Sequence, residues 1–424
     1  MKIHIKNGRL IDPKHHIDGQ QDLFIAAGKV VGVGHAPEGF TANQTLDATG
    51  LIVCPGLVDM SARLREPGFE YKATLESELQ AAVAGGITSL ACPPDTEPVL
   101  DEPGLVEMLK HRAKLLNLAH VYPLGALTRQ LEGKQLTEMC ELTEAGCVGF
   151  SQADVAITDT RVLWRAMQYA ATFGYTVWLR PEDYHLARGG VAHDGEIASR
   201  LGLAGIPAAA ESVALSTILR LAAETGARIH LCRLSTRESV EMVKQAKSEG
   251  LSVTCDVSAN HLHLTDHDIG FFDANCHLKP PLRSQRDLDA LRAGLKTGDI
   301  DAVCSDHTPV DDDAKLLPFA EAEAGATGLE LLLPLTLKWA AGVNASLTQA
   351  IARITCAPAA IMGIDAGHLG LGATADVCLF SQETYWKVEA KHLISQGKNS
   401  PFLGLELAGS VTHTLAQGHT VFQR

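Results

Sequence analysis

The sequence predicts an α/β chain: a (β/α)8 TIM-type barrel with a small β-sandwich built from both chain ends. Three observations predict it. Apolar strand-like runs alternate with amphipathic helical stretches through the middle of the chain, and repeated βα units require a parallel sheet. Seven or eight such units fall within residues 58–366, which favours a closed barrel over a doubly wound open sheet. Both ends, residues 1–57 and 367–424, carry short strand signals separated by turns and form the sandwich.

The first region alternates polar and apolar residues from Met1 to Lys6, a strand pattern and not a signal peptide. Strand signals follow at 22–25, 29–34 and 51–54, separated by turns such as Ala26-Ala27-Gly28 and Asp47-Ala48-Thr49-Gly50. Barrel strands are expected at 88–92, 120–123, 148–150, 176–179, 228–232, 252–257 and 302–305, with helices over 74–84, 212–224 and 239–249. No GxGxxG follows the first strand, so the doubly wound alternative lacks its phosphate-binding signature. The segment 367–376 leads into a strand at 377–380, and a late strand pair is expected at 411–414 and 420–422.

The chain has 424 residues and a formal charge of -14, which disfavours non-specific binding to nucleic acid or anionic membrane. No run of eighteen apolar residues suggests a membrane span. The ten cysteines include no CxxC pair and sit mostly in apolar runs, as expected of free thiols in the cytoplasm.

In a barrel of this kind, chemistry belongs at the C-terminal ends of the strands. The first such end reads Asp59-Met60-Ser61-Ala62-Arg63-Leu64-Arg65-Glu66-Pro67-Gly68. It resembles the dihydroorotase signature Asp-x-His-x-His-Leu-Arg-Glu-Pro-Gly. Further segments resemble the same family in the same order: Gly85-Gly86-Ile87-Thr88, Pro94 to Pro98, Glu182-Asp183, His230 to Thr236, Asn260 to Asp266, Lys279 to Arg283 and Ser305 to Pro309. Dihydroorotases are metal-dependent amidohydrolases that interconvert carbamoyl aspartate and dihydroorotate. Their ligands are imidazoles, a carboxylated lysine or bridging acid, and a strand-end aspartate. The metal polarises the amide carbonyl and activates a water.

The ligand positions depart from the family. The His-x-His pair is Ser61 and Arg63, and the next two histidines are Arg180 and Arg233. The bridging acid is replaced near Gln152 and Ala153, with Asp154 one place further on. No lysine occurs between Lys134 and Lys244, which excludes a carboxylated lysine there. Only Asp306, the family's last ligand and general base, remains. Arginine stays protonated and only donates hydrogen bonds, so it cannot ligate a cation. The resemblance therefore implies no metal and no cofactor. Like charges about 4 Å apart cost about 4 kcal/mol at an effective dielectric of 20, so the arginines require acids or anions. Asp306 is the expected partner of Arg63 or Arg233.

Two uses of these residues follow. Arg63, Arg65, Asp95, Arg180 and Arg233 could form a ligand-binding anion pocket, since guanidinium forks suit carboxylates. Alternatively, the arginines form an internal salt-bridge network with Asp306, Glu66, Glu182 and Asp183. His261 and His263 have ligand-like spacing if they lie on a strand. With Asp306 and His307 they are the elements of a rebuilt hydrolase site. Asp311-Asp312-Asp313 reads as a solvated loop. Among bacterial relatives that resemble this chain are inactive homologues associated with the catalytic chain of aspartate transcarbamoylase. The resemblance thus implies a non-catalytic structural subunit, in a dodecamer of six and six. The other functions considered are a sensor of an acidic pyrimidine intermediate and a cyclic-amide hydrolase.

Overall fold

The computed structural model describes residues 1–424. Eight parallel strand positions follow one another around a barrel: Leu57–Asp59, Ile87–Cys92, His120–Pro123 continued by Gly125–Ala126, Phe150–Ser151, Thr176–Leu179, Arg228–Leu231, Val253–Ser258 and Ala302–Cys304. Hydrogen bonds close the ring. Arg63 N donates to His307 O at 2.9 Å and His307 N to Ser61 O at 3.0 Å, joining the last strand to the first. An open doubly wound sheet would leave these ends apart.

Both faces of the barrel wall are covered, so its strands are nearly continuous apolar runs; Ile87–Cys92 is buried at every position. The helix Leu75–Ala84 begins at Thr74, whose side chain accepts from Ser77 N while Ser77 closes the reciprocal capping contact. Gly86 follows that helix with φ 84°, and a Cβ there would meet Cys378 Sγ at 2.6 Å. This close approach packs the barrel against the sandwich and explains Gly86, whereas at Gly85 a Cβ would run into Leu329 O.

The sandwich has two sheets. One contains Lys2–Lys6, Leu23–Ala26, Lys29–Val33 and Gln44–Asp47. The other joins Arg9–Asp12, Ile17–Gln20 and Ile52–Pro55 to Val377–Lys387, Glu406–Ala416 and His419–Gln423. Inward residues of both chain ends share one core that includes Ile3, Ile5, Leu23, Val377, Leu379 and Leu415.

The strand placement that joint ligation by His261 and His263 would need is not met. Asn260–Leu262 is a 3-10 turn, and the preceding strand ends at Ser258. His261 and His263 therefore do not share a strand face. His261 Nε2 lies 3.2 Å from Pro281 O, whereas His263 Nε2 lies 2.8 Å from Leu335 O. No helix is long and apolar enough to cross a membrane.

Candidate functional site: an arginine–aspartate cluster at the barrel mouth

Six strand ends deliver the residues singled out in the sequence: Ser61 and Arg63, Asp95, Gln152 to Asp154, Arg180, Arg233, and Asp306. Several leave their strands with a left-handed backbone: Ala153 has φ 51°, Arg233 φ 54°, Asp306 φ 51° and Arg65 φ 62°. Such non-glycine conformations cost about 1–3 kcal/mol each and persist where surrounding contacts over-determine them.

Asp154 is the hub. Its Oδ2 accepts from Arg63 Nη2 at 2.7 Å, and its Oδ1 accepts from Arg180 Nε at 2.7 Å and Arg233 Nη2 at 2.5 Å. Arg63 Nε also donates to Asp95 at 2.7 Å, and its Nη1 donates to Thr308 Oγ1 at 3.0 Å. Arg180 grips Glu182 with both terminal nitrogens, at 2.7 and 2.8 Å. Arg233 Nη1 donates to Asp306 Oδ1 at 2.7 Å, the ion pair expected from the sequence. The three guanidiniums are thus surrounded by four carboxylates.

The charge states follow from this geometry. Burial opposes ionisation of Asp154, but Arg233, Arg63 and Arg180 outweigh it and hold its carboxyl well below the usual range. Burial pushes Asp306 up; Arg233 and Arg63 only partly offset that, and Asp154 adds repulsion. Burial works against the charge of Arg63 and Arg233 too, yet their acidic neighbours hold both above the ordinary arginine value.

Other expected members point elsewhere. Arg65 Nε donates to Pro309 O at 2.8 Å, and its Nη2 lies 3.6 Å from Glu323. Its left-handed backbone turns it away, and burial together with repulsion from Arg63 lowers its pKa. Glu66 pairs with Arg112 and accepts from Leu75 N, so it serves the first helix. Asp183 caps the short helix Tyr184–Ala187. Gln152 faces the wall, donating to Leu131 O and accepting from Thr128 Oγ1. Asp154 and Thr308 were not assigned a role from sequence. The available signal was that Asp154 is the one acid beside the vacated bridging position.

The elements of a rebuilt hydrolase site do not converge. His307 Nε2 lies 2.6 Å from Glu78 Oε2, and its Nδ1 accepts from Gly328 N at 3.0 Å. Asp306, next to it in sequence, faces Arg233. Burial lowers His261 to a pKa of about 4 and His263 to about 3, so both are neutral at pH 7.

Space is also short. Ser61, Arg63, Ser151, Trp178, Arg233 and Asp256 help line a cavity of about 20 Å³. That is room for one water. A cleft of about 120 Å³ opens beside Arg180 and Glu182, below the roughly 300–1,000 Å³ of ordinary ligand pockets.

Residues 50–239 match the Dihydro-orotase-like family model. Over 419 residues the chain is 46% identical to a dihydroorotase-like protein of Pseudomonas aeruginosa, with 99% of each chain covered. The chain belongs to the dihydroorotase-like family. It is 42% identical over 426 residues to a dihydroorotase of a Geobacter species, with 100% of both covered. Among solved structures, the L-hydantoinase (dihydropyrimidinase) of Arthrobacter aurescens superposes with a TM-score of 0.88 at 26% identity, covering 99% of this chain and 96% of that one. The dihydropyrimidinase of Brevibacillus agri gives 0.84 at 21% identity, covering 100% and 95%, a likeness of fold.

The donor set at the mouth of this dihydroorotase-like chain does not fit the family's divalent ion. Arginine nitrogens carry no lone pair for a metal, and three permanent positive charges repel one. The acids that could ligate are already bound by those arginines. A second grouping, His230, Cys232 and Asp256, brings possible ligand atoms within 4.8 Å of one another. These atoms are committed to structure. His230 lies 3.0 Å from Asp256 and 2.9 Å from Thr254, Asp256 Oδ1 accepts from Arg233 N, and burial raises the Cys232 thiol well above its usual pKa.

Proposed function

We propose that this chain is a catalytically inactive member of its family. Its role would be that of a non-catalytic structural subunit of an aspartate transcarbamoylase assembly in pyrimidine biosynthesis. The observation that carries the inactive part is the Asp154-centred cluster. Permanent cations and their counter-ions occupy the strand ends where a dihydroorotase needs neutral imidazoles and an open coordination position. A chain that keeps the barrel and sandwich without that chemistry acts through its surface. The partner follows from the family resemblance, and full-length identity to dihydroorotase-like proteins of Pseudomonas aeruginosa and Pseudomonas putida supports the reading.

The sensor reading is less favoured, because the arginines already hold carboxylates and the enclosed cavity has room only for a water. Calorimetric titration with carbamoyl aspartate and dihydroorotate tests it directly; a saturable heat would revive it. The main experiment is purification of the chain from its own cell extract, with mass spectrometry and both enzyme assays on the eluate. Transcarbamoylase activity without dihydroorotase activity is the expected result. A chain that purifies alone and hydrolyses a cyclic amide in a metal-dependent way would overturn the proposal.

A further inference from the structure

Two loops above the filled mouth carry an apolar surface that the fold itself does not use. One follows the strand Val253–Ser258 and bears Phe271, which is 100% exposed, and Phe272, 44% exposed. The other follows Ala302–Cys304 and bears Leu316, 81% exposed, and Leu317, 48% exposed. Large apolar side chains exposed together on neighbouring loops mark interaction sites in monomeric folds.

The loops are braced against each other. Lys315 Nζ donates to Ala274 O at 2.8 Å and reaches His277 O at 3.5 Å. His277 Nδ1 lies 2.8 Å from Ala322 O, Gly325 N donates to His277 O at 2.9 Å, and the Phe319 ring lies 5.0 Å from the His277 ring. The four apolar side chains are therefore presented on an ordered platform, which lowers the entropy lost on docking.

The rim has a definite sign. Asp268, Asp273, Asp311, Asp312, Asp313 and Glu321 are exposed on these two loops, and Lys279 is the exposed lysine among them. Lys315 does not offset the rim outward, since its ammonium turns inward onto carbonyls. An acidic border disfavours anionic lipid and a second copy of the same patch, because like charges would face each other. It favours a basic border on the other side.

We propose that Phe271, Phe272, Leu316 and Leu317 form a docking patch for a partner protein whose surface offers an apolar pocket bordered by lysine and arginine. The proposal rests on the non-catalytic subunit reading and locates the contact on that subunit. No substrate needs to pass these loops, because the mouth beneath them is closed by its own ion pairs.

The test measures binding of the purified chain to the transcarbamoylase catalytic chain, by interferometry at two salt concentrations. Three variants are compared: Phe271→Glu with Leu316→Glu, Leu316→Ser with Leu317→Ser, and Asp311, Asp312 and Asp313 all →Lys. All change exposed residues, and thermal unfolding checks that each folds. The Glu pair is expected to weaken binding roughly 100-fold and the Ser pair about tenfold, the range of interface anchors. The Lys triple is expected to slow association about tenfold at low salt and to flatten its salt dependence. Wild-type binding that none of the variants alters would overturn the patch and leave the subunit reading standing. No binding by the wild type would overturn that reading, and this proposal with it. Wild-type self-association lost in the Glu pair would show that a second copy is the occupant, which also overturns it.

Discussion

The barrel mouth and the histidine–acid pairs around it solve the same electrostatic problem with different residues. At the mouth, Arg63, Arg180 and Arg233 meet Asp154, Asp95, Glu182 and Asp306. Elsewhere in the barrel the acidic partners face histidines: within the wall His230 with Asp256 at 3.0 Å, and just past the last strand His307 with Glu78 of the first helix at 2.6 Å. An imidazole can be neutral, accept as well as donate, and fit a single partner. A guanidinium cannot lose its charge and has five donors to satisfy. Arginine at the strand ends therefore gathers acids until the space is full, whereas each of these histidines is satisfied by one acid and one further contact. Arginine at the mouth is thus coupled to a gain of internal structure there.

The largest effect should come from removing the hub. Asp154→Asn leaves three guanidiniums short of a counter-charge, and breaking a buried pair costs about 3–5 kcal/mol. Asp154 is itself 23% exposed, so about 2–4 kcal/mol is expected. Urea unfolding would measure it, and a change under 1 kcal/mol would show that the cluster is dispensable.

Acid should separate the arginine–aspartate mouth from a further set of groups, the buried histidines that face backbone carbonyls. His261 and His263 fall from the ordinary imidazole value of 6.5 to about 4 and about 3, and His277 to about 4, with burial as the leading cause. A depressed folded pKa contributes stability that is present above the unfolded value and lost as pH falls towards the folded one. Stability should therefore decline from about pH 6.5 downward, by about 2 kcal/mol at pH 5 for a fully buried histidine. Asp154 is also depressed, but from the carboxylate range, so its contribution holds until below about pH 4. Equal unfolding midpoints at pH 7 and pH 5 would contradict this division.

A smaller effect is expected from Glu78→Gln. Glu78 accepts from Ser395 Oγ at 2.7 Å and Gln396 N at 3.0 Å in addition to facing His307. The amide retains part of this set, so a loss of about 1–3 kcal/mol, below that of Asp154→Asn, is expected. The reverse order in matched denaturant titrations would place the structural weight in the histidine–acid pairs. Finally, Ser61→His with Arg63→His should yield no metal-dependent dihydroorotase turnover and no stoichiometric metal, because Arg180 and Arg233 still converge on Asp154. Measurable turnover would show that the remaining arginines yield to a cation.

Much of the scaffold was legible. Fully buried strands are read from apolar runs, and helices from caps such as Thr74 with Ser77. The pairing of Asp306 with Arg233 was legible because buried permanent charge demands a counter-ion. The hub was not, since Asp154 stands one residue beyond the vacated bridging position and the left-handed Ala153 before it re-aims the chain. Arg65, Glu66 and Asp183 were misplaced for a related reason: Pro309 O, Arg112 and a helix N-terminus lie far from them in sequence or compete locally for the same side chain. Whether His261 and His263 share a strand face was not legible, because alternation carries no mark of where a strand gives way to a 3-10 turn.

The sequence by itself determined which chemistry is available at the mouth: residues that cannot ligate a cation stand where imidazoles would be needed, and their charge does not depend on pH. Only the tertiary structure decided how that charge is neutralised. Partners separated by as many as 245 residues meet there. Strand-end backbone conformation, packing and mutual repulsion choose among the acids within reach. Sequence specifies the charges, whereas their pairing depends on distance and direction in a low-dielectric space that exists only once the barrel has closed.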